Sequence, residues 1–275
     1  MKKLSVFLIN VLMVVNSISG MAQNATLTPN LKFGNPTVEE MKIAACPYDS
    51  TAKAMVLCHM TDVSYMFAAN SFKIEYSIKK RIKVLDADGT DEANISIPYY
   101  SPDTGGGSRE SIRGIKAFAY NLVNGKVVKT KMESNLVFDE QVDKRRRLIK
   151  FTIPQVKAGT VIEYQYVKSS DFYYQIDDWY AQENIPTLYT SYEIEIPGMF
   201  VFNVEQTGTN TLQTAQNPGN RTYITGDDAE TTNIYTFKGQ NLSALKADKF
   251  VWCPTNYASK IAFELRSINI PGTYY

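Results

Sequence analysis

The 275-residue sequence predicts an all-β, mainly antiparallel protein, built as one large β-sandwich or as two sandwich lobes, with a short helix near the N-terminus. Three observations carry this. Through residues 73–84, Ile74, Tyr76, Ile78, Ile82 and Val84 alternate with Lys73, Glu75, Ser77, Lys79, Arg81 and Lys83, the period of two that sends successive side chains to opposite faces of a strand. Similar short runs recur at regular spacing between Gly, Asn and Asp turn residues. No stretch carries the 3.6-residue period of a long amphipathic helix.

The elements follow in chain order. Lys2 and Lys3, the apolar run over residues 4–15, and the small residues Gly20 and Ala22 make a secretory signal peptide over residues 1–22. The run is shorter than the ~20 residues of a membrane span, and Asn10 interrupts it. Pro36, Thr37 as N-cap and Glu40 in capping-box spacing start a short helix that ends before Cys46 and Pro47. A strand over residues 54–60 precedes the alternating one, whose lysines and Arg81 form a wet face. The stretch Asp86-Ala87-Asp88-Gly89 reads as a turn, after which residues 93–98 return as partner strand. Strands are expected at 115–122 and from Val127, joined by Asn124-Gly125, then at 148–153 and 161–167. Further strands are expected at 192–196, 200–204, 222–225, 233–237 and 261–265, with loops at 105–108 and 208–219. The expected organisation is therefore a signal peptide over 1–22, a sandwich lobe over 23–190, and a second lobe or a continuation of the same sandwich over 191–275. Pro186 or Pro197, which interrupt pairing, would mark a boundary.

Charge and composition exclude several functions. Twenty-nine Lys and Arg stand against 28 Asp and Glu, and removing Lys2 and Lys3 leaves 27 against 28, a net −1. Such a chain has no basic field for nucleic acid. The run Lys144-Arg145-Arg146-Arg147 follows Asp139, Glu140 and Asp143 and reads as a solvated hairpin tip. No membrane span remains after signal cleavage, so the protein is expected outside the cytoplasm, periplasmic or extracellular. One histidine, His59, excludes multi-histidine metal sites, and no metal or cofactor is expected. The Gly105–108 stretch lacks the Lys-Ser/Thr ending of a phosphate loop. Cys46 and Cys58 could close a loop with Cys253 left free, or all three could be buried thiols; a chain of this size does not need staples, which favours the thiols.

Two constellations could carry chemistry. Cysteine catalysis needs a thiolate held by an imidazole with a third group orienting it, here Cys46 or Cys58 with His59 and Asp62. Cys58 and His59 are neighbours on one strand and point to opposite faces, and nothing in the sequence requires Cys46 to approach His59. No catalytic residue is therefore assigned. The second is Asp171-Phe172-Tyr173-Tyr174 with Asp177-Asp178-Trp179-Tyr180 and Glu183. Aromatic planes beside carboxylates hold sugars, and two carboxylates at a suitable distance hydrolyse glycosides. Tyr173, Tyr174, Asp178, Trp179, Tyr180 and Glu183 form the candidate ligand-binding set, and Asp177, Asp178 and Glu183 the carboxylates of a glycan-acting alternative. The simpler reading fills the core with Trp179 and the tyrosines and leaves the acids on a loop. Catalytic acids would be desolvated in a cleft; scaffold acids would be exposed.

The sequences Gly159-Thr160-Val161-Ile162-Glu163-Tyr164, Asp178-Trp179-Tyr180-Ala181-Gln182, Ile185-Pro186, Ser191-Tyr192-Glu193 and Ile196-Pro197 resemble a DUF3857 domain. So do Lys83-Val84-Leu85 with Asp88-Gly89, Ile97-Pro98-Tyr99, Ile115-Lys116-Ala117 and Phe151-Thr152-Ile153-Pro154. The resemblance implies an exported bacterial β-rich domain of the kind that precedes a transglutaminase-like domain. The cysteine, histidine and aspartate module of the longer relatives is not expected here, which implies an accessory part standing alone or a truncated reading frame. The expected function is non-catalytic: scaffolding, or binding a transglutaminase-like or protease-like protein, or a cell-envelope glycan or peptide.

Overall fold

A computed structural model describes residues 28–269 apart from 69–70, 104–106, 226–227 and 247–251. The signal peptide over 1–22 and part of the 105–108 loop lie outside the described residues. Helix α1 (Val38–Lys42) begins as its sequence dictates: the Thr37 hydroxyl accepts from the Glu40 N–H while the Glu40 carboxylate accepts from the Thr37 N–H. The strands then follow as β1 (Ala54–Ala68), β2 (Ser71–Val84), β3 (Asn94–Tyr100), β4 (Glu110–Val123), β5 (Lys126–Lys131), β6 (Phe138–Gln141) and β7 (Arg146–Thr152). After them come β8 (Val161–Ser170), β9 (Trp179–Tyr180), β10 (Thr187–Pro197), β11 (Phe200–Thr207), β12 (Gln213–Thr225), β13 (Asp228–Leu242) and β14 (Lys260–Ile268).

The strands build one eight-stranded sheet, ordered β12-β13-β10-β1-β2-β8-β4-β5, and two three-stranded sheets, β11-β14-β9 and β3-β7-β6. The fold is all-β and mostly antiparallel, with β1 and β10 pairing in parallel. Residue 190 falls inside β10, which is hydrogen bonded to β1 on one side and β13 on the other. The chain before and after it thus shares one sheet. Asn124 and Gly125, at φ 49° and 76°, make the two-residue turn between β4 and β5, whose two left-handed positions match the twist of a hairpin.

Both small sheets cover the same face of the large one. On β2, Phe72, Ile74, Tyr76, Ile78, Lys80 and Ile82 share a face by alternation. Its first part packs with Phe200 of β11 and Ile261 and Phe263 of β14. Ile82 packs with Ile95 and Ile97 of β3 and Ile149 and Phe151 of β7. The second layer is therefore split, and Lys80 sits where its two halves part.

The opposite face of β2 is not wet along its length, as its lysines and arginine suggest. Arg81 and Lys83 are 0% and 1% exposed because the N-terminal segment with α1 covers them, together with Met41, Cys46, Met55 and Leu57. Arg81 donates to Glu40 and Glu163 and to the carbonyls of Asn30 and Lys32. Lys83 donates to the carbonyls of Met41 and Gly159, at 2.6 and 2.5 Å. Buried charge survives only where partners satisfy it, and the covering segment supplies them.

Three local expectations also change. Residues Ala87–Ala93 form a 3₁₀ helix capped by Asp86, not a simple turn. The strand after it, β3, pairs with β7 in a small sheet and not with β2. Most of the loop expected at 208–219 is strand: β12 begins at Gln213 and pairs with β13, with its irregularity between Pro218 and Thr222. Pairing along β13 overrides the turn-like composition.

Candidate functional site

A cleft of about 510 Å³ opens where the second layer parts. Its floor is the large sheet. A β-bulge between Val56 and Cys58 shifts the alternation of β1 by one residue, so that His59 and Thr61 join Val56 on the cleft face while Cys58 turns to the opposite core. Strand register then aligns His59, Lys80 and Tyr164 in one row and Thr61, Ile78 and Tyr166 in the next. Ile97 and Pro98 of β3 form one wall and Trp179 and Tyr180 of β9 the other.

Glu183 is the electrostatic centre. Its Oε1 lies 2.9 Å from His59 Nδ1, its Oε2 accepts from Lys80 Nζ, and all three side chains are at most 17% exposed. Burial pushes the Glu183 carboxyl up, but Lys80 and then His59 outweigh it, so the pKa lies well below the ordinary range. Lys80 is the mirror image: burial lowers it, and Glu183 raises it above its usual value. Glu183 thus bridges His59 and Lys80 across the floor of the cleft. Lys168 donates to Glu110 at 2.8 Å and to Asp177, and Lys260 donates to Asp178 at 2.5 Å. Burial pushes the Tyr164 and Tyr166 phenols up, so both remain neutral donors; their rings lie parallel within 8°, 6.5 Å apart.

The structure divides the candidate set. Asp178, Trp179, Tyr180 and Glu183 all line the cleft, as does Asp177. Trp179 is also core, 5% exposed against Tyr192, with no hydrogen-bond partner for its indole N–H among the described residues. Tyr180 stands 40% exposed at the rim. Tyr173 and Tyr174 lie elsewhere: the Tyr173 carbonyl accepts from Tyr65 and its ring packs on Phe72 and Phe200, while Tyr174 is exposed. His59 is a cleft residue, and neither buried cysteine shares its face. All three cysteines are free thiols, with Cys46 and Cys58 buried and Cys253 exposed; burial pushes Cys58 up to about 12.

Sequence reasoning missed Lys80, Tyr164, Tyr166 and Lys168. One signal was available: Lys80 stands between Ile78 and Ile82 on the apolar phase of its strand. Glu92 was missed as well. It lies in the 3₁₀ helix, and burial raises its carboxyl against the pull of Lys80. Among the described residues no group of three or more His, Cys, Asp or Glu side chains could hold a metal ion, and no helix is long and apolar enough to cross a membrane.

No curated protein matches the chain. A solved structure described as a "putative protease from Parabacteroides distasonis ATCC 8503" superposes with a TM-score of 0.58 at 12% identity. The match covers 80% of this chain and 41% of that one, so this chain spans less than half of that protein's length, and the likeness is one of fold. A second, a "putative nutrient binding protein" from Legionella pneumophila subsp. pneumophila str. Philadelphia 1, covers 78% of this chain and 67% of its own at 11% identity, with a TM-score of 0.31, too low to carry an argument. The family model described as Domain of Unknown Function with solved-structure structure (DUF3857) matches residues 70–246, more than half of the chain, and this protein belongs to that family.

Proposed function

We propose that this protein is an exported, non-catalytic accessory domain that binds a cell-envelope ligand, or a segment of a transglutaminase-like or protease-like partner, in the cleft between its two small sheets. The observation that carries the reading is the state of the cleft carboxylates. Asp177, Asp178 and Glu183 each hold a lysine, and His59 engages the other oxygen of Glu183. A general acid has to keep a proton at working pH, and Glu183, held ionised by its partners, does not. Fixed charge pairs among aromatic side chains suit a preformed binding surface. Export rests on the signal pattern over residues 1–22, and the partner classes rest on the family resemblance.

One observation favours a glycan hydrolase instead: Glu92 is pushed up while Glu183 is pushed down, the division of roles that hydrolases use. Glu92 is not among the side chains that line the cleft. The two readings separate in one experiment. The secreted protein is incubated with a panel of oligosaccharides and peptides, and both binding and product release are followed. Saturable binding without turnover is expected, weakened roughly 3- to 10-fold by Tyr166→Ala. Product release that disappears in Glu92→Gln would replace the binding reading with the catalytic one.

A further inference from the structure

Resting on the reading that the cleft binds a ligand, we infer that its ligand is a neutral, polyhydroxylated chain, an oligosaccharide of several units, which runs from the cleft along a groove to Tyr100 and Phe172. A second cavity, of about 440 Å³, shares Lys168 and Asp177 with the cleft and extends to Tyr100, Phe172 and Gln175. The two are one groove, with the Lys168 ion pairs as the sill between them.

Charge sets the chemical class. Lys80, His59, Lys168 and Lys260 all engage carboxylates of the protein itself. An anionic or cationic ligand would have to break one of these pairs, whereas a neutral chain lies across them intact. The parallel Tyr164 and Tyr166 rings, the exposed Tyr180 and the Tyr100–Phe172 pair, edge to face at 5.4 Å, distribute aromatic surface along the groove, as the apolar faces of successive sugar rings require.

A peptide adding itself as a strand fits less well. The bonds from Ile153 N–H to the Ala93 carbonyl and from Ser101 N–H to the Arg145 carbonyl show that odd-numbered residues of β3 face β7. The open edge of β3 therefore presents Ser96, Pro98 and Tyr100. Pro98 has no N–H, and the Tyr100 N–H already donates to Glu110 Oε2 at 2.8 Å. Strand addition draws its affinity from consecutive main-chain hydrogen bonds, and this edge lacks the donors.

The test is calorimetric titration of the secreted protein with neutral α- and β-linked oligosaccharides, from single sugars to hexasaccharides, beside neutral peptides of matched length. For at least one sugar series, affinity should rise with length, roughly tenfold or more from the shortest binder to the longest. Tyr166→Ala should weaken every length, and Phe172→Ala only the long ones, with circular dichroism confirming that both variants are folded. Affinity independent of length, or Phe172→Ala affecting all lengths alike, overturns the groove and leaves cleft binding standing. Peptides binding in place of sugars overturns the carbohydrate class and also leaves it standing. No binding of either, or binding untouched by Tyr166→Ala, removes both the inference and the reading beneath it.

Discussion

Replacing Arg81 by methionine should destabilise the protein far more than the loss of one side chain's packing. Arg81 is fully buried and donates to Glu163 Oε1 at 2.6 and 3.0 Å, to Glu40 at 2.8 and 3.1 Å, and to the carbonyls of Asn30 and Lys32 at 2.6 and 2.8 Å. Methionine fills much of the same volume but leaves two carboxylates, 1% and 3% exposed, without their cation. Breaking a buried pair in this way costs about 3–5 kcal/mol, or roughly 6–20 °C in Tm for a chain of this size. Urea unfolding followed by circular dichroism measures it, with an unchanged m-value marking a true stability change. The N-terminal segment should also become open to trypsin at Lys32 and Lys42. Because the cost comes from orphaned charge, adding Glu40→Gln and Glu163→Gln to Arg81→Met should recover much of the loss. A single-variant loss below about 1 kcal/mol, or a triple variant less stable than the single one, would refute the reasoning.

Three further predictions are independent of this one. Burial lowers Lys83 from 10.5 to about 8; the folded state therefore binds fewer protons than the unfolded chain between those values, and stability contributed by this site rises with pH across pH 8 to 10.5, by roughly 3 kcal/mol. The difference in unfolding free energy between wild type and Lys83→Met isolates it, and a difference that does not change with pH would count against a buried, charged Lys83. Native protein should react with a thiol reagent at Cys253 alone, and Cys253→Ser should abolish labelling until denaturant exposes Cys46 and Cys58; rapid native labelling of Cys58 would contradict its burial. Gly208→Ala should cost about 2–4 kcal/mol, since φ is +87° and the new methyl would lie 2.4 Å from Ser259 Cα; a thermal melt within a degree of wild type would show that the neighbouring backbone yields.

Much of the fold is legible in the sequence because its causes are local. The capping box at Thr37 and Glu40, the turn at Asn124-Gly125 and the alternation along β2 each need only near neighbours. β3 shows the limit. Its short alternating run marks a strand, but nothing local distinguishes β2 from β7 as its partner, and long-range packing of Ile95 and Ile97 on Ile149 and Phe151 decides it. Arg81 and Lys83 read as solvated for the same reason: the segment that buries them begins some 50 residues earlier in the chain, as the 51-residue separation of Arg81 from Asn30 shows. The candidate site was half legible. Trp179, Tyr180, Asp178 and Glu183 stand together in sequence and meet in the cleft, while Tyr173 and Tyr174, equally aromatic and only a few residues away, turn to the core and to solvent.

The sequence by itself determined the all-β class, the strand and turn grammar, the single histidine and the near balance of charge, because each follows from composition or from a period of two. Only the tertiary structure decided that Glu183 meets His59 and Lys80 across 124 and 103 residues of chain, and that the second layer splits above them. Those facts depend on which strands pair and on a one-residue bulge in β1 that turns His59 into the cleft. Register of this kind is set by the packing of whole faces, which no window of neighbouring residues contains.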